Sequence, residues 1–373
     1  MKILDRSIAF QFAANAAVLF LILAGVVTAV DYAFNFDEYF RIADRAYENS
    51  PWFLRAAGSI LVLVDLWWPR LFLLYDFLLG FVLVGAMGFT LTQMVRHREL
   101  VAILASGQSL LRVARPIMLV ALLLVVLQGL NRELIIPQLA PLLTRDKGDA
   151  GSSSMGAIDR VLHVDGKGRV FYARSFDLDR QTISGLWVWE RDEQGLLTTR
   201  ITATEAAWDG TRWLLTNGQT EDRRLGAGNA RPQPLASLTS DLDPTVIRMR
   251  RFEGYAANLS FRQLTELITR SRASTLTRPD HLDQLTRYKL GRLCVMASNL
   301  LTLMVCLPFF LRREPANMLM QSLKCAPAAV GSLMGAFLGS AAAVPGLPPE
   351  VSVFIPVMIL IPLAIAGLTS IKT

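Results

Sequence analysis

The feature that most constrains this chain is the recurrence of apolar runs long enough to cross a lipid bilayer, which needs about 20 apolar residues per helix. Six occur: about Ser7 to Phe34, Leu71 to Val95, Pro116 to Leu130, Leu293 to Leu311, Met318 to Val344 and Val351 to Ile371. The third is short, so its helix is expected to continue through Ile136, with Arg132 and Glu133 near the interface. The first exceeds the apolar core of a signal peptide and reads as a retained span. With 52% hydrophobic residues and a mean hydropathy of +0.38, the chain is too apolar for a soluble protein, while its middle is too charged for a membrane interior.

The net charge of +7 would suggest nucleic acid in a soluble protein. Here the basic residues flank the apolar runs, which is a topology signal, so nucleic acid is set aside. Lys2, Arg6, Arg96, Arg98, Arg112, Arg115, Arg312, Arg313 and Lys372 fall at one set of ends, and the turn Pro345 to Glu350 at the other carries no Lys or Arg. That bias predicts six spans, both termini in the cytoplasm, and a large outer domain after the third span.

Between the first two spans, Asn35 to Arg70 mixes charges of both signs with apolar residues and ends in Trp67-Trp68-Pro69-Arg70, an interfacial signature. From about Gly151 to Tyr255 the pattern changes to turns (Asp165 to Arg169, Asp192 to Leu196, Trp208 to Arg212) separated by strand-like runs such as Leu186 to Trp189. The stretch Arg200 to Ala206 alternates strictly, and an antiparallel β domain is expected. Alternation alone leaves a sealed β-sandwich and an open groove both standing. Asn258 to Arg292 returns to helical periodicity through Leu259, Leu264, Leu267 and Ile268.

Catalytic signatures are missing. There is no phosphate-binding loop, since Asp165-Gly166-Lys167-Gly168 sits in a turn, and His97, His163 and His281 are scattered. The three cysteines, Cys294, Cys306 and Cys325, lie in or beside apolar runs and read as core residues. Two carboxylates are placed where an uncompensated charge costs about 3 kcal/mol or more, Asp31 closing the first span and Asp76 inside the second. Asp76 has three readings: a basic partner across an interface, a substrate counter-ion, or a shallow snorkelling position. Arg41, Arg45, Arg55, Arg70 and Arg132 map near the outer interface, either as solvated ion pairs or, taken as a set, as phosphate ligands.

The polar interruption at 96–116, RHRELVAILASGQSLLRVARP, joins two spans. Leu100, Ile103, Leu104 and Leu111 recur at helical spacing among arginines, Gly107 is expected to end a first short helix, Ser109 to cap a second, and Pro116 to open the third span. A plain connector obeying the charge bias and a docking element for another protein both fit this pattern.

Glu99 through Gly107 and Ser109, with Arg112 and Pro116 behind, resembles the signature loop of the LptF/LptG lipopolysaccharide export permeases. The likeness extends through Asn131 to Pro137, the run Ala203 to Gly218, the Tyr288 to Arg292 entry to span four, and Gly346 to Pro349. It implies an α-helical membrane protein with six transmembrane helices and an inserted periplasmic antiparallel β-jellyroll domain. The expected divisions are 1–150 for spans one to three with a coupling helix at 96–116, 151–257 for the jellyroll, and 258–373 for a linker helix and spans four to six.

By the same resemblance, Glu99, Leu100, Ile103, Gly107, Ser109 and Arg112 couple to an ATPase, and Asp31, Arg41, Arg45, Asp76 and Arg132 are candidates for the substrate path. No catalytic residue, metal or cofactor is expected in this chain, ATP and Mg being used by a partner. The implied partners are a cytoplasmic ATPase dimer, a paralogous permease forming a heterodimer, LptC- and LptA-like periplasmic jellyroll proteins, and lipopolysaccharide. The implied location is the bacterial inner membrane, multi-pass, with the β domain in the periplasm.

The sequence departs from the family at Asp31, Asn35, Asp37 and Glu38, where G-type members carry substrate-contacting lysines, at Arg312-Arg313-Glu314-Pro315, and at Phe77. Export of another glycolipid or a lipoprotein, and a non-transporting envelope scaffold, are the alternative functions. An intramembrane enzyme would have only Asp31 and Asp76 to work with, and no protease motif surrounds either.

Overall fold

The computed structural model describes residues 3–46, 51–143, 158–165, 167–177, 180–192, 196–223, 232–240, 242–244, 246–247, 258–273, 279–311, 318–342, 344 and 346–370. Lys2, Arg312, Arg313 and Lys372 from the charge-bias argument lie outside them. The chain divides into two compact units, Met1–Gln138 with Leu259–Thr269 and Pro279–Thr373, and Leu139–Asn258 with Arg270–Arg278.

The first unit is helical. Its elements are α1 (Ile3–Phe34), α2 (Phe36–Ala46), α3 (Trp52–Arg96), α4 (Glu99–Ala105), α5 (Leu110–Leu130), a π-helical turn at Asn131–Ile135, α6 (Ile136–Leu143), α7 (Phe261–Ala273), α8 (Pro279–Phe310), α9 (Met318–Ala341), α10 (Pro349–Ser352) and α11 (Ile355–Ser370). Six helical stretches among the described residues are long and apolar enough to cross a membrane, Ile3–Phe34, Trp52–Arg96, Leu110–Ala140, Leu282–Phe310, Met320–Ala341 and Pro349–Thr369. Leu79, Leu83, Met87 and Leu91 of α3 form the spine of the core, with Phe12 of α1, Ile117 and Ala121 of α5, and Leu303 and Leu307 of α8 around them.

Close approach between helices uses small residues, as expected where lipid supplies no hydrophobic drive. A Cβ added at Gly80 would lie 2.5 Å from both Asn299 Oδ1 and Leu333 Cδ2, and one at Gly88 would lie 2.9 Å from the Phe310 ring.

Two expectations are corrected here. Span two does not begin at Leu71: α3 runs unbroken for 45 residues from Trp52, through the second half of the section read as interfacial, with Pro69 inside it. Within it, Arg55 pairs with Asp44 of α2 at 3.2 Å. Likewise Pro116 does not open span three. The helix α5 begins at Leu110, so the second helix of the turn and the span are one element with Pro116 buried inside it.

After the third span, the π-helical turn at Asn131–Ile135 joins α5 to α6. The start of α7 is a reciprocal capping box: Gln263 N–H donates to Ser260 Oγ at 3.1 Å and Ser260 N–H to Gln263 Oε1 at 2.8 Å.

Among the described residues the second unit is an antiparallel sheet of eight strands: β1 (Ile158–Val164), β2 (Val170–Asp177), β3 (Thr182–Arg191), β4 (Leu197–Trp208), β5 (Trp213–Thr216), β6 (Gln219–Asp222), β7 (Gln233–Pro234) and β8 (Ser237–Leu238). β1 to β5 form a meander closed by β8, while β6 continues the line of β5 along the same edge of β4 and pairs with β7. The sheet is creased. Phe171 and Ala173 of β2, Leu186 and Val188 of β3, and Ile201 and Ala203 of β4 face inward, but beyond the row of Arg174, Gly185, Thr204 and Asn217 the inward parity switches to Phe176, Ile183 and Ala206. Gly185 (φ +64°) and Asn217 (φ +53°) take the left-handed conformation in that row, which turns the strands over without breaking register.

Inside the crease the packing is dense. The fully buried Trp213 donates its indole N–H to the Leu242 carbonyl at 2.8 Å. The cavity bounded by Val161, Phe171, Ile183, Trp213 and Leu242 has a volume of about 10 Å³, room for one water at most. The Asp165 to Arg169 turn contributes a buried ion pair, Arg169 Nη2 lying 2.7 Å from Asp165 Oδ2 and also donating to the Thr239 carbonyl at 2.7 Å, which ties the β1–β2 hairpin to the chain after β8.

Candidate functional site

The interhelical turn is built from its caps. α3 ends at Arg96, and Arg98 at φ +60° reverses the chain into α4. α4 ends in a double backbone closure: Gly107 N–H donates to the Leu104 carbonyl at 3.0 Å and Gln108 N–H to the Ile103 carbonyl at 3.4 Å, with Gly107 at φ +73°. Only glycine adopts that conformation without a steric penalty, which is why the helix stops there. Ser109 then stands at the N-cap of α5, extended at φ −73°, ψ 147°, with no side-chain capping hydrogen bond.

The six residues expected at this turn take different positions. Leu100 and Ile103 are buried in the chain's own core, against the end of α3 and the start of α5, so they anchor α4. Glu99 is exposed at the first turn of α4, and Val101, Ala102, Ala105 and Ser106 are exposed with it. Gly107 and Ser109 are exposed in the turn that follows. Arg112 faces α1, its Nε 4.0 Å from Asp5 Oδ1. The helical period of Leu100, Ile103 and Leu104 was the signal that could have assigned the buried face, and Val101 was the exposed apolar neighbour it missed.

The candidates for the substrate path also separate. Asp31 is a junction among three helices: its Oδ2 accepts from the Tyr39 hydroxyl at 2.6 Å and from Trp67 Nε1 at 2.9 Å, and its Oδ1 from Asn35 Nδ2 at 2.9 Å. Burial, reinforced by that bond to Asp31, pushes the Tyr39 hydroxyl up to about 12. Arg41 is exposed on α2, and Arg45 lies on the same helix.

Asp76 and Arg132 come together. The nearly buried Asp76 carboxylate lies 2.6 Å from Arg132 Nη2, which is carried on the π-helical turn. Below the pair, Gln128 Nε2 donates to the Asp76 carbonyl at 2.9 Å and Asn299 Nδ2 donates to Gln128 Oε1 at 3.2 Å, linking α3, α5 and α8. Asn131 Nδ2 donates to the Phe72 carbonyl at 2.9 Å. Glu133, beside Arg132, accepts the Phe261 N–H at 2.8 Å, and the Arg292 guanidinium donates to the Leu259 carbonyl. The π turn supplies the extra rotation that lets Asn131 and Arg132 reach α3 while Glu133 reaches α7, consistent with the frequent placement of such bulges at working sites.

No group of His, Cys, Asp and Glu among the described residues forms a metal site. Six membrane-length helices among the described residues, an inserted antiparallel sheet and an exposed short helix between two spans define a multi-pass membrane protein of the permease type. The sequence pattern described as lipopolysaccharide export system permease LptF/LptG matches residues 42–370, nearly the whole chain, and the chain belongs to that family. A search of curated proteins finds no match. Members are inner-membrane permease subunits of a transporter and are not themselves catalytic.

Proposed function

We propose that this chain is the membrane subunit of an ATP-driven exporter that takes lipopolysaccharide from the inner membrane and passes it toward a bridge of periplasmic jellyrolls. The observation that carries the coupling half of this reading is Glu99, exposed on a seven-residue helix fixed from beneath by Leu100 and Ile103. A carboxylate held there by buried neighbours transmits a push from a partner into α3 and α5 without losing it to side-chain motion.

The partners in this reading are a cytoplasmic ATPase dimer, which holds the ATP and Mg, a paralogous permease, LptC- and LptA-like jellyroll proteins, and the lipid. The positive-inside bias assigns α4 to the cytoplasm and the β unit to the periplasm. Among the path candidates, Arg132, whose counter-ion is Asp76, and Arg41 and Arg45 of α2 are the cations offered to lipid phosphates. Asp31, with both oxygens hydrogen-bonded inside the chain, supports the wall of the path. Passage of acyl chains through the β unit requires the core around Trp213 to part.

The test is a pull-down from detergent-solubilised membranes comparing wild type with Glu99→Lys, with bound proteins identified and ATP hydrolysis assayed. An ATPase and a second six-span permease should accompany wild type, and the ATPase should be lost from the variant. Wild type arriving without any ATPase would leave the scaffold reading in its place.

A further inference from the structure

Beside the turn lies a cavity of about 920 Å³, walled by Asp5 of α1, Gln108 and Ser109 of the turn, and Arg112, Arg115 and Leu119 of α5, so that it shares Ser109 and Arg112 with the residues assigned to coupling and adds Gln108, Arg115 and Leu119. We infer that it holds the headgroup of an anionic glycerophospholipid, with the phosphate at Arg112 and Arg115 and the acyl chains along the exposed face of α5. This inference does not depend on which protein meets α4.

Three observations converge. The two arginines are three residues apart on one helix and share a side of it. The one carboxylate among the described residues lining the cavity, Asp5, stands 4.0 Å from Arg112 Nε, at the outer limit of an ion pair. Planar guanidinium donors therefore remain for a phosphate, which they match in geometry. The positive end of the α5 dipole opens nearby, at a Ser109 that makes no side-chain capping bond.

The second observation is an orphan. Among the described residues, Gln108 Oε1 is buried without a hydrogen-bond partner. A phosphate oxygen cannot satisfy an acceptor, whereas a headgroup hydroxyl can, so the chemistry selects a polyol headgroup such as glycerol over a bare phosphate or a choline.

The third is the apolar track that begins where the cavity ends. Leu119, Leu122, Leu123, Val126 and Leu130 follow Arg115 along α5 at helical spacing, all between 47 and 66% exposed. From Leu119 to Leu130 the helix rises about 16 Å, the depth of one leaflet of a hydrocarbon layer about 30 Å thick. Basic pockets opening between spans onto an apolar track are the form that anionic-lipid headgroup sites take.

The experiment is native mass spectrometry of the full-length protein, purified in detergent and titrated with phosphatidylglycerol, phosphatidic acid, phosphatidylcholine and soluble glycerol phosphate. Wild type should retain phosphatidylglycerol about thirtyfold better than phosphatidylcholine, from about fivefold per basic residue near an anionic headgroup. Arg112→Gln with Arg115→Gln should abolish the preference. Arg115→Gln alone, at an exposed position where folding is not at risk, should lower it about fivefold. Gln108→Leu should bring phosphatidylglycerol down to the level of phosphatidic acid. Equal retention of phosphatidylglycerol and phosphatidylcholine by wild type, or an unchanged preference in Arg115→Gln, overturns the site. Competition by glycerol phosphate at the same concentration as the lipid assigns it to a soluble anion and overturns the lipid.

Discussion

The junction at Asp31 makes a quantitative prediction. Removing the carboxylate with Asp31→Ala strands two side-chain donors, the Tyr39 hydroxyl at 2.6 Å and the Trp67 indole N–H at 2.9 Å, while Asn35 Nδ2 loses Oδ1 but keeps the Asp31 backbone carbonyl at 2.9 Å. Hydrogen bonds to a charged group contribute about 1.5 to 3 kcal/mol each. Asp31 is only partly buried, so the lower end applies, and the expected loss is about 3 kcal/mol. Tyr39→Phe removes one bond and should cost about 1.5 kcal/mol. The double variant should then lose about 1.5 kcal/mol less than the sum, because the bond to Tyr39 can be lost only once. The assay is reversible denaturant unfolding of the protein in detergent micelles, followed by tryptophan fluorescence, in which Trp67 reports directly. Strict additivity of the two changes would refute the junction as described. The raised Tyr39 value adds a pH signature. A hydroxyl that ionises near 12 when folded and near 10 when unfolded contributes stability that is fully present below pH 10 and is lost as pH rises from about 10 to 12. Tyr39→Phe should flatten that alkaline slope.

Three further changes are expected to be informative. Arg132→Ala leaves the buried Asp76 carboxylate without its cation and should destabilise the helical unit by about 3 to 5 kcal/mol, whereas the double change Asp76→Asn with Arg132→Gln should recover most of the loss in the same unfolding assay. Gly80→Ala forces Asn299 and Leu333 apart and should cost about 1 to 3 kcal/mol, while Gly335→Ala, on α9 with no neighbouring atom within 4 Å of the added carbon, should leave the midpoint unchanged or higher. Gly185→Ala demands a positive φ from an alanine at the crease, with its Cβ 3.1 Å from Arg174 Cβ. It should cost about 1 to 2 kcal/mol, read as faster proteolysis within residues 158–238 while the helical unit stays protected.

What was legible in the sequence was set by local period. Six apolar runs of span length, the glycine stop at Gly107 and the alternation in the β unit are all properties of neighbours in the chain. What escaped was set by contacts between distant residues. The section Asn35 to Arg70 reads as interfacial, ahead of a span that starts at Leu71, yet α3 passes through it from Trp52, with Arg55 paired to Asp44 on another helix. Asp31 and Trp67 are 36 residues apart, and no periodicity pairs them. The three readings of Asp76 were equivalent on one strand of text, and only the fold brings Arg132 to it. In β4, Arg200 to Ala206 alternates on paper, but the crease at Thr204 puts both Ala203 and Ala206 inside. A charge at either position would therefore be buried in the packed core.

At 45 residues and about 1.5 Å of rise each, α3 is a rod about 68 Å long, more than twice the hydrocarbon thickness of a membrane. Near one end, Ser59 and Trp67 bind it to α1; near the other, Leu91 and Met94 lie in the same core as Leu100 and Ile103 of α4. Such a rod is a lever. A tilt of about 5° about one end would displace the other by about 6 Å, roughly one helical turn, so in the proposed coupling a small rocking of α4 would shift the far end of α3 by the width of a side chain. Pro69, which removes one backbone hydrogen bond partway along, marks the place where that lever can bend.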